Sequence, residues 1–186
     1  RRIVLMVSRL ATWKRVDRGI ACLMELLRDG IHNDVLLVIV GEGSERGALE
    51  SLALKSGVAE NIRFEGAVGH DRIGEYFASS DVFLSLYDIS NLGNPLLEAV
   101  WLGLPVVSIR NTGVETLIED GKHGYLVELS DLEGGVSRSL RQLLNSEDSA
   151  RQIRDNLREL RDMRLYSWEG RMMKEHQLIL QLLGQK

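Results

Sequence analysis

Short apolar runs of four to six residues recur along the chain, at 3–8, 35–40, 62–65, 82–86, 106–109 and 124–127. Most are unbroken β-branched and Leu stretches rather than apolar–polar alternations. That is the pattern of strands buried on both faces of a parallel sheet. Between them, helix-like segments lie near 16–29, 44–56, 70–79, 95–103 and 113–119, and a helical tail follows from about 131 to 183. Strand and helix alternate over about 120 residues with no repeat or linker. The prediction is a single α/β domain: a Rossmann-like, doubly wound parallel sheet of about six strands, helices on both faces and a helical C-terminal tail. Residues 146–183 are rich in Arg, Glu, Gln and Leu and hold Trp168, Met172 and Met173. They read as an amphipathic helix pair packing on the sheet, with a partner-domain or membrane contact as the alternative.

In such folds ligands sit beyond the carboxyl ends of the strands. After the first strand comes Ser8-Arg9-Leu10-Ala11-Thr12-Trp13-Lys14-Arg15. Cations in a loop at that position form an anion clamp, Arg offering a fork and Lys a point charge. The plain alternative is a solvated basic loop. After the second strand, Gly41-Glu42-Gly43-Ser44 permits a tight turn or close backbone approach. The third glycine of the dinucleotide fingerprint is missing, which disfavours a hydride-transferring enzyme. After the fourth strand runs Asp88-Ile89-Ser90-Asn91-Leu92-Gly93-Asn94-Pro95-Leu96-Leu97-Glu98. Asn94 suits an N-cap and Pro95 the first helical position, so free N–H groups would face the crevice. Glu98, one turn in, could accept hydrogen bonds from sugar hydroxyls; otherwise it is simply a favourable charge near a helix N-terminus.

Composition narrows the classes. The 186 residues are 44% hydrophobic, with 23 basic and 27 acidic side chains and a net charge of −4. That balance disfavours a nucleic-acid binder, and it makes the local pair Arg9 and Lys14 more telling. One cysteine, Cys22, excludes a disulfide framework and a multi-thiolate metal site. His32, His70, His123 and His176 are too scattered for ligands, and no Asp-x-Asp pair presents itself. No apolar run approaches the roughly 18–20 residues needed to span a bilayer. The reading is a soluble domain of a reducing compartment.

In order, these residues resemble the donor-binding half of retaining GT-B glycosyltransferases, the family 4 or group 1 class. The resemblance is carried by Ser8-Arg9-Leu10 with Lys14, Val40-Gly41-Glu42-Gly43 and Ile62-Arg63-Phe64-Glu65-Gly66. It continues through Leu97-Glu98-Ala99, Gly103-Leu104-Pro105-Val106-Val107, Asp120-Gly121 and Gly124-Tyr125-Leu126-Val127. It implies that Arg9 and Lys14 are catalytic, neutralising the diphosphate of a nucleotide-sugar and the charge on the leaving group. Glu98 would bind the ribose. Backbone around Arg63 and Phe64 would face the base, Gly93 and Asn94 the phosphate or sugar, and Gly41 and Gly43 would also contact the donor. No metal or other cofactor is required. The resemblance further implies a hexosyl-type transferase of two domains. Residues 1–186 would be its C-terminal half, inactive alone, with an N-terminal acceptor-binding domain of the same chain outside it. The enzyme would be cytoplasmic, with any contact to the inner face of a membrane made through that other half.

Two departures stand out. The family commonly has a glutamate where this chain has Ser90, and Asp88 could stand in if the loop bends. In Thr112-Gly113-Val114-Glu115-Thr116 a further family glutamate lies one place early. The alternatives are a catalytically degenerate module that binds a nucleotide or partner, or a GT-B epimerase or phosphorylase. A receiver domain is set aside because Asp81 precedes its strand.

Overall fold

The computed structural model describes residues 1–28, 30, 34–89, 93–165 and 168–184. Six strands form one sheet: β1 (Arg2–Val7), β2 (Val35–Val40), β3 (Ile62–Gly66), β4 (Val82–Ser85), β5 (Val106–Ile109) and β6 (Gly124–Val127). Every neighbouring pair is parallel, in the order β3-β2-β1-β4-β5-β6. The helices are α1 (Val16–Leu27), α2 (Arg46–Lys55), α3 (His70–Ala78), α4 (Asn94–Trp101), α5 (Thr112–Glu115), α6 (Leu132–Asn145), α7 (Glu147–Arg164) and α8 (Trp168–Gly184). They cover both faces, as expected for a doubly wound sheet.

Burial follows the sequence pattern. β4 and β5 are buried at every position, as are Val4, Leu5 and Met6 of β1. Only helices on both sides can do this. β3 is the exception. Its Ile62-Arg63-Phe64-Glu65 alternates and exposes Arg63, which suits an edge strand. Phe77 of α3 packs on Phe83 of β4 with ring centroids 5.7 Å apart. Asp81, ahead of β4, accepts the Ile3 N–H at 2.7 Å and the Arg2 guanidinium at 3.2 Å. It therefore fixes where β1 and β4 begin.

The strand order reverses at β1. The chain runs outward from β1 to β3, crosses back past β1 to β4, and continues to β6 on the other side. Connections leaving β1 and β4 diverge, and a crevice opens above their carboxyl ends.

The tail differs from its sequence reading. In α7, Ala150, Ile153, Leu157 and Leu160 form one buried stripe, and the helix packs on α4 and α6 rather than on the sheet. In α8 residues 171–181 are all exposed, Met172 and Met173 included. Its exposed apolar residues include Met172, Met173, Leu178, Ile179 and Leu180. Among the described residues no helix is long and apolar enough to cross a membrane.

One buried histidine gives the fold a pH response. His123 is buried, and its Nδ1 accepts the Glu119 N–H at 3.1 Å. Burial, then the nearby Lys122 charge, holds its pKa below the ordinary 6.5. The unfolded chain thus binds this proton at a higher pH than the folded one. Stability falls as pH drops below 6.5 and levels off once the folded pKa is passed. His123→Gln is expected to lose that component. The check is the difference in urea midpoint between about pH 7.5 and about pH 5.5, which should be smaller in the variant than in the wild type.

Candidate functional site

The loop after β1 is locked to the loop after β2. Ser8 N–H donates to the Val40 carbonyl at 3.0 Å, Leu10 N–H to the Glu42 carbonyl at 2.9 Å, and Glu45 N–H to the Leu10 carbonyl at 3.1 Å. This interlock requires glycine. Gly41 has φ +135, and a Cβ there would sit 1.8 Å from the Ser8 carbonyl oxygen. At Gly43 a Cβ would meet the Leu10 carbonyl oxygen at 2.2 Å. The two glycines therefore hold the Arg9 loop in place from below. Gly41 also lines the cavity above; Gly43 does not, because it is covered by Leu10.

That cavity, of about 420 Å³, lies beyond the carboxyl ends of β1, β2 and β3. Arg9, Gly41 and Glu42 form one part of its wall, and Asn94, Pro95 and Glu98 of α4 another. Ala67, Val68, His70 and Ile73, which follow β3, complete it. Four expected residues, Arg9, Gly41, Asn94 and Glu98, are thus brought together from segments up to about 90 residues apart.

Others are placed elsewhere. Arg63 and Phe64 lie within β3, where Arg63 pairs with Glu65 and Phe64 packs against the core. The main chain there pairs with β2 on one side, and neither residue lines the cavity. The same rule that selected Arg9 and Gly41 would have picked Ala67, Val68 and His70. The α4 cap is also one residue earlier than expected. Gly93 is the extended N-cap, and Asn94 is already helical with Pro95 in the first turn. Gly93 does not line the cavity, whereas Asn94 and Pro95 do. Ser90 lies outside the described residues.

Asp88 is committed to α1. Its carboxylate lies 2.7 Å from Arg18 and 3.3 Å from Arg15, and Arg15 also holds Asp17 at 2.8 Å. The Asp17 hydrogen bond, outweighing partial burial, raises the Arg15 pKa. On Asp17, Arg15 overcomes the opposing effect of burial and lowers the pKa. Arg15 adopts a left-handed backbone, φ +49, at the junction between the turn Thr12–Lys14 and α1. This cluster faces a separate cavity of about 340 Å³ with Thr12 and Glu45. Asp88 is therefore a tether for the loop after β4 and does not face the main cavity. Asp88→Asn is expected to lower unfolding free energy by about 1 kcal/mol, since these pairs are part-exposed. Nucleotide affinity, measured beside it by calorimetry, should stay within about twofold.

Arg15 being paired, Arg9 and Lys14 remain as the cations of this loop. Among the described residues neither has a carboxylate within ion-pair distance. Lys14 stands beside the cavity rather than in its wall, held between the rings of Trp13 and Tyr87. Burial, then the Arg9 charge, pushes its pKa below the ordinary lysine value. Both effects favour an incoming anion. The helix N-terminus of α4 adds partial positive charge at the same cavity. Among the described residues no group of three His, Cys, Asp or Glu could hold a metal ion.

Residues 1–160 match the family described as glycosyl transferases group 1. The lipopolysaccharide core biosynthesis glycosyltransferase LpsE of Rhizobium meliloti is 36% identical over 110 residues, covering 59% of this chain and 32% of LpsE. The GDP-mannose-dependent alpha-(1-6)-phosphatidylinositol monomannoside mannosyltransferase of Mycolicibacterium smegmatis is 34% identical over 140 residues, with 72% and 36% covered. A mutant of S. aureus TarM, in complex with fondaparinux, alpha-GlcNAc-glycerol and UDP, superposes with a TM-score of 0.84 at 25% identity. That match covers 95% of this chain and 35% of TarM. The chain spans about a third of the length of these relatives.

Proposed function

Because this chain belongs to the group 1 glycosyl transferases, we propose that its main cavity binds a nucleoside-diphosphate sugar for transfer of a hexosyl group with retention. The carrying observation is the convergence of Arg9, Asn94 and Glu98 on one cavity at the point where the strand order reverses. The Arg9 fork, the Lys14 ammonium and the first N–H groups of α4 together meet the diphosphate. Breaking the bond from the sugar carbon to the diphosphate oxygen leaves the electron pair on that oxygen. Fixed cations lower the barrier by stabilising the charge that develops there. Glu98 accepts the ribose hydroxyls, and the apolar stretch Ala67, Val68 and Ile73 is left for the base. The cations and the helix supply the countercharge, so the reading assigns no metal.

On this reading the chain is the donor-binding domain of a cytoplasmic two-domain enzyme. The acceptor-binding domain, and any membrane contact, belong to the same polypeptide outside these residues. Sugar transfer by the 186 residues alone is expected to be undetectable. The TarM complex contains UDP and the mycobacterial relative depends on GDP-mannose, so the base is a matter for titration. Calorimetry with UDP, GDP and ADP should show binding of at least one. No binding of any of the three by a folded sample would overturn the reading.

One observation favours a second reading, a module that binds donor without transfer. Ser90 stands where the family commonly has a glutamate, and Asp88 is paired to α1. Donor binding with no transfer by the full-length polypeptide would select it.

A further inference from the structure

Lys14 is held by two aromatic rings from different parts of the chain. Its Nζ lies 4.2 Å from the ring centroid of Trp13, its neighbour on the turn Thr12–Lys14, and 3.8 Å from that of Tyr87. Both fall within the roughly 6 Å reach of a cation–π contact. The rings differ in how firmly they are placed. Trp13 is 39% exposed, but Tyr87 is only 7% exposed. Tyr87 follows closely after β4, and its hydroxyl donates to the Val7 carbonyl, at the end of β1, at 2.9 Å. It is thus fixed from both strands that flank the reversal of strand order. Burial lifts its pKa to about 12, so the hydroxyl remains a donor.

We propose that Tyr87 is a positioning residue for donor binding, its ring holding the Lys14 ammonium beside Arg9 so that both cations meet the diphosphate together. This rests on the reading of the main cavity as a diphosphate site. Two like charges side by side repel, and a lysine side chain is long and mobile. A carboxylate would hold Lys14 in place but would also neutralise it. A ring face attracts the ammonium through its quadrupole and leaves the full charge available to a ligand. The arrangement also keeps water partly away from Lys14, which strengthens its interaction with an incoming anion.

The test is calorimetry of UDP, GDP and ADP, each against its nucleoside, on wild type, Tyr87→Phe and Tyr87→Leu, alone and combined with Lys14→Met. Tyr87→Leu is expected to weaken the bound diphosphate about 5- to 20-fold while leaving the nucleoside unchanged. Tyr87→Phe, which keeps the ring, should stay within about threefold. In the Lys14→Met background, Tyr87→Leu should have no further effect. A loss shared equally by nucleoside and diphosphate, or one that persists without Lys14, would mark Tyr87 as merely structural and overturn the proposal. Proton NMR of the wild type needs no variant. The Lys14 ε-methylene signals should be shifted upfield by the rings, and unshifted signals would also overturn it. If no nucleotide binds while those signals are shifted, the donor-site reading itself has failed, and the role of Tyr87 fails with it.

Discussion

A single methyl group added at Gly41 is expected to lower stability by about 3–5 kcal/mol. Two effects combine. A φ of +135 is closed to alanine, and the new Cβ would lie 1.8 Å from the Ser8 carbonyl oxygen. That oxygen belongs to backbone at the end of β1 and cannot move like the tip of a side chain. Relief requires the loops after β1 and β2 to part, which breaks the bonds from Ser8 to Val40 and from Leu10 to Glu42. A domain of this size has about 5–15 kcal/mol in total, and each kcal/mol is worth about 2–4 °C. Thermal unfolding should therefore show a fall of about 6–20 °C, with nucleotide binding lost as Arg9 is displaced. Gly47 is the control. It lies in α2 with nothing within 4 Å of a new Cβ, and Gly47→Ala should be neutral or stabilising by up to about 1 kcal/mol. Equal behaviour of the two alanines would refute the interlock.

Arg9→Ala should have the second large effect, on binding rather than stability. Arg9 is exposed at the cavity wall, and among the described residues no ion pair holds it. Hydrogen bonds to a charged partner contribute about 1.5–3 kcal/mol each, and a guanidinium can make two. Affinity for the nucleoside diphosphate should fall about 100-fold or more, while the bare nucleoside should change less than about threefold. Arg9→Lys should fall between, because it keeps the charge and loses the fork. Wild-type affinity should also weaken with added salt, and the Arg9→Ala variant should weaken less. Loss of nucleoside and diphosphate binding to the same degree would place Arg9 outside the phosphate site.

The strands were legible because they are buried on both sides. A run such as Val35–Val40 must be apolar at nearly every position once helices cover both faces, and its sequence says so. Arg9 and Gly41 stand directly after strand ends, and Asn94 and Glu98 lie at the start of the helix that follows β4, the places where a doubly wound sheet puts its ligand contacts. Arg63 and Phe64 lie inside β3, where that rule does not apply, and the part of the cavity wall that follows β3 begins with Ala67. Gly43, also expected at the donor, lies outside the cavity wall, and its missing side chain makes room for Leu10. The tail departs from the expected helix pair on the sheet because α7 packs on α4 and α6, while residues 171–181 of α8 are exposed.

By itself the sequence determined which segments are strands, which chemistry stands at their ends, and that Arg9 and Lys14 share a loop. Those are local matters, set by burial pattern and by connections a few residues long. Only the tertiary structure decided which ends meet. Strand order is a choice among long-range pairings, and the reversal at β1 places α4 over the β1 and β2 loops. It also decided which charges are already taken. Arg15 and Asp88 are 73 positions apart, and no spacing rule connects them. Their pairing withdraws Asp88 from the site, while Tyr87, equally remote, holds Lys14 without cancelling its charge.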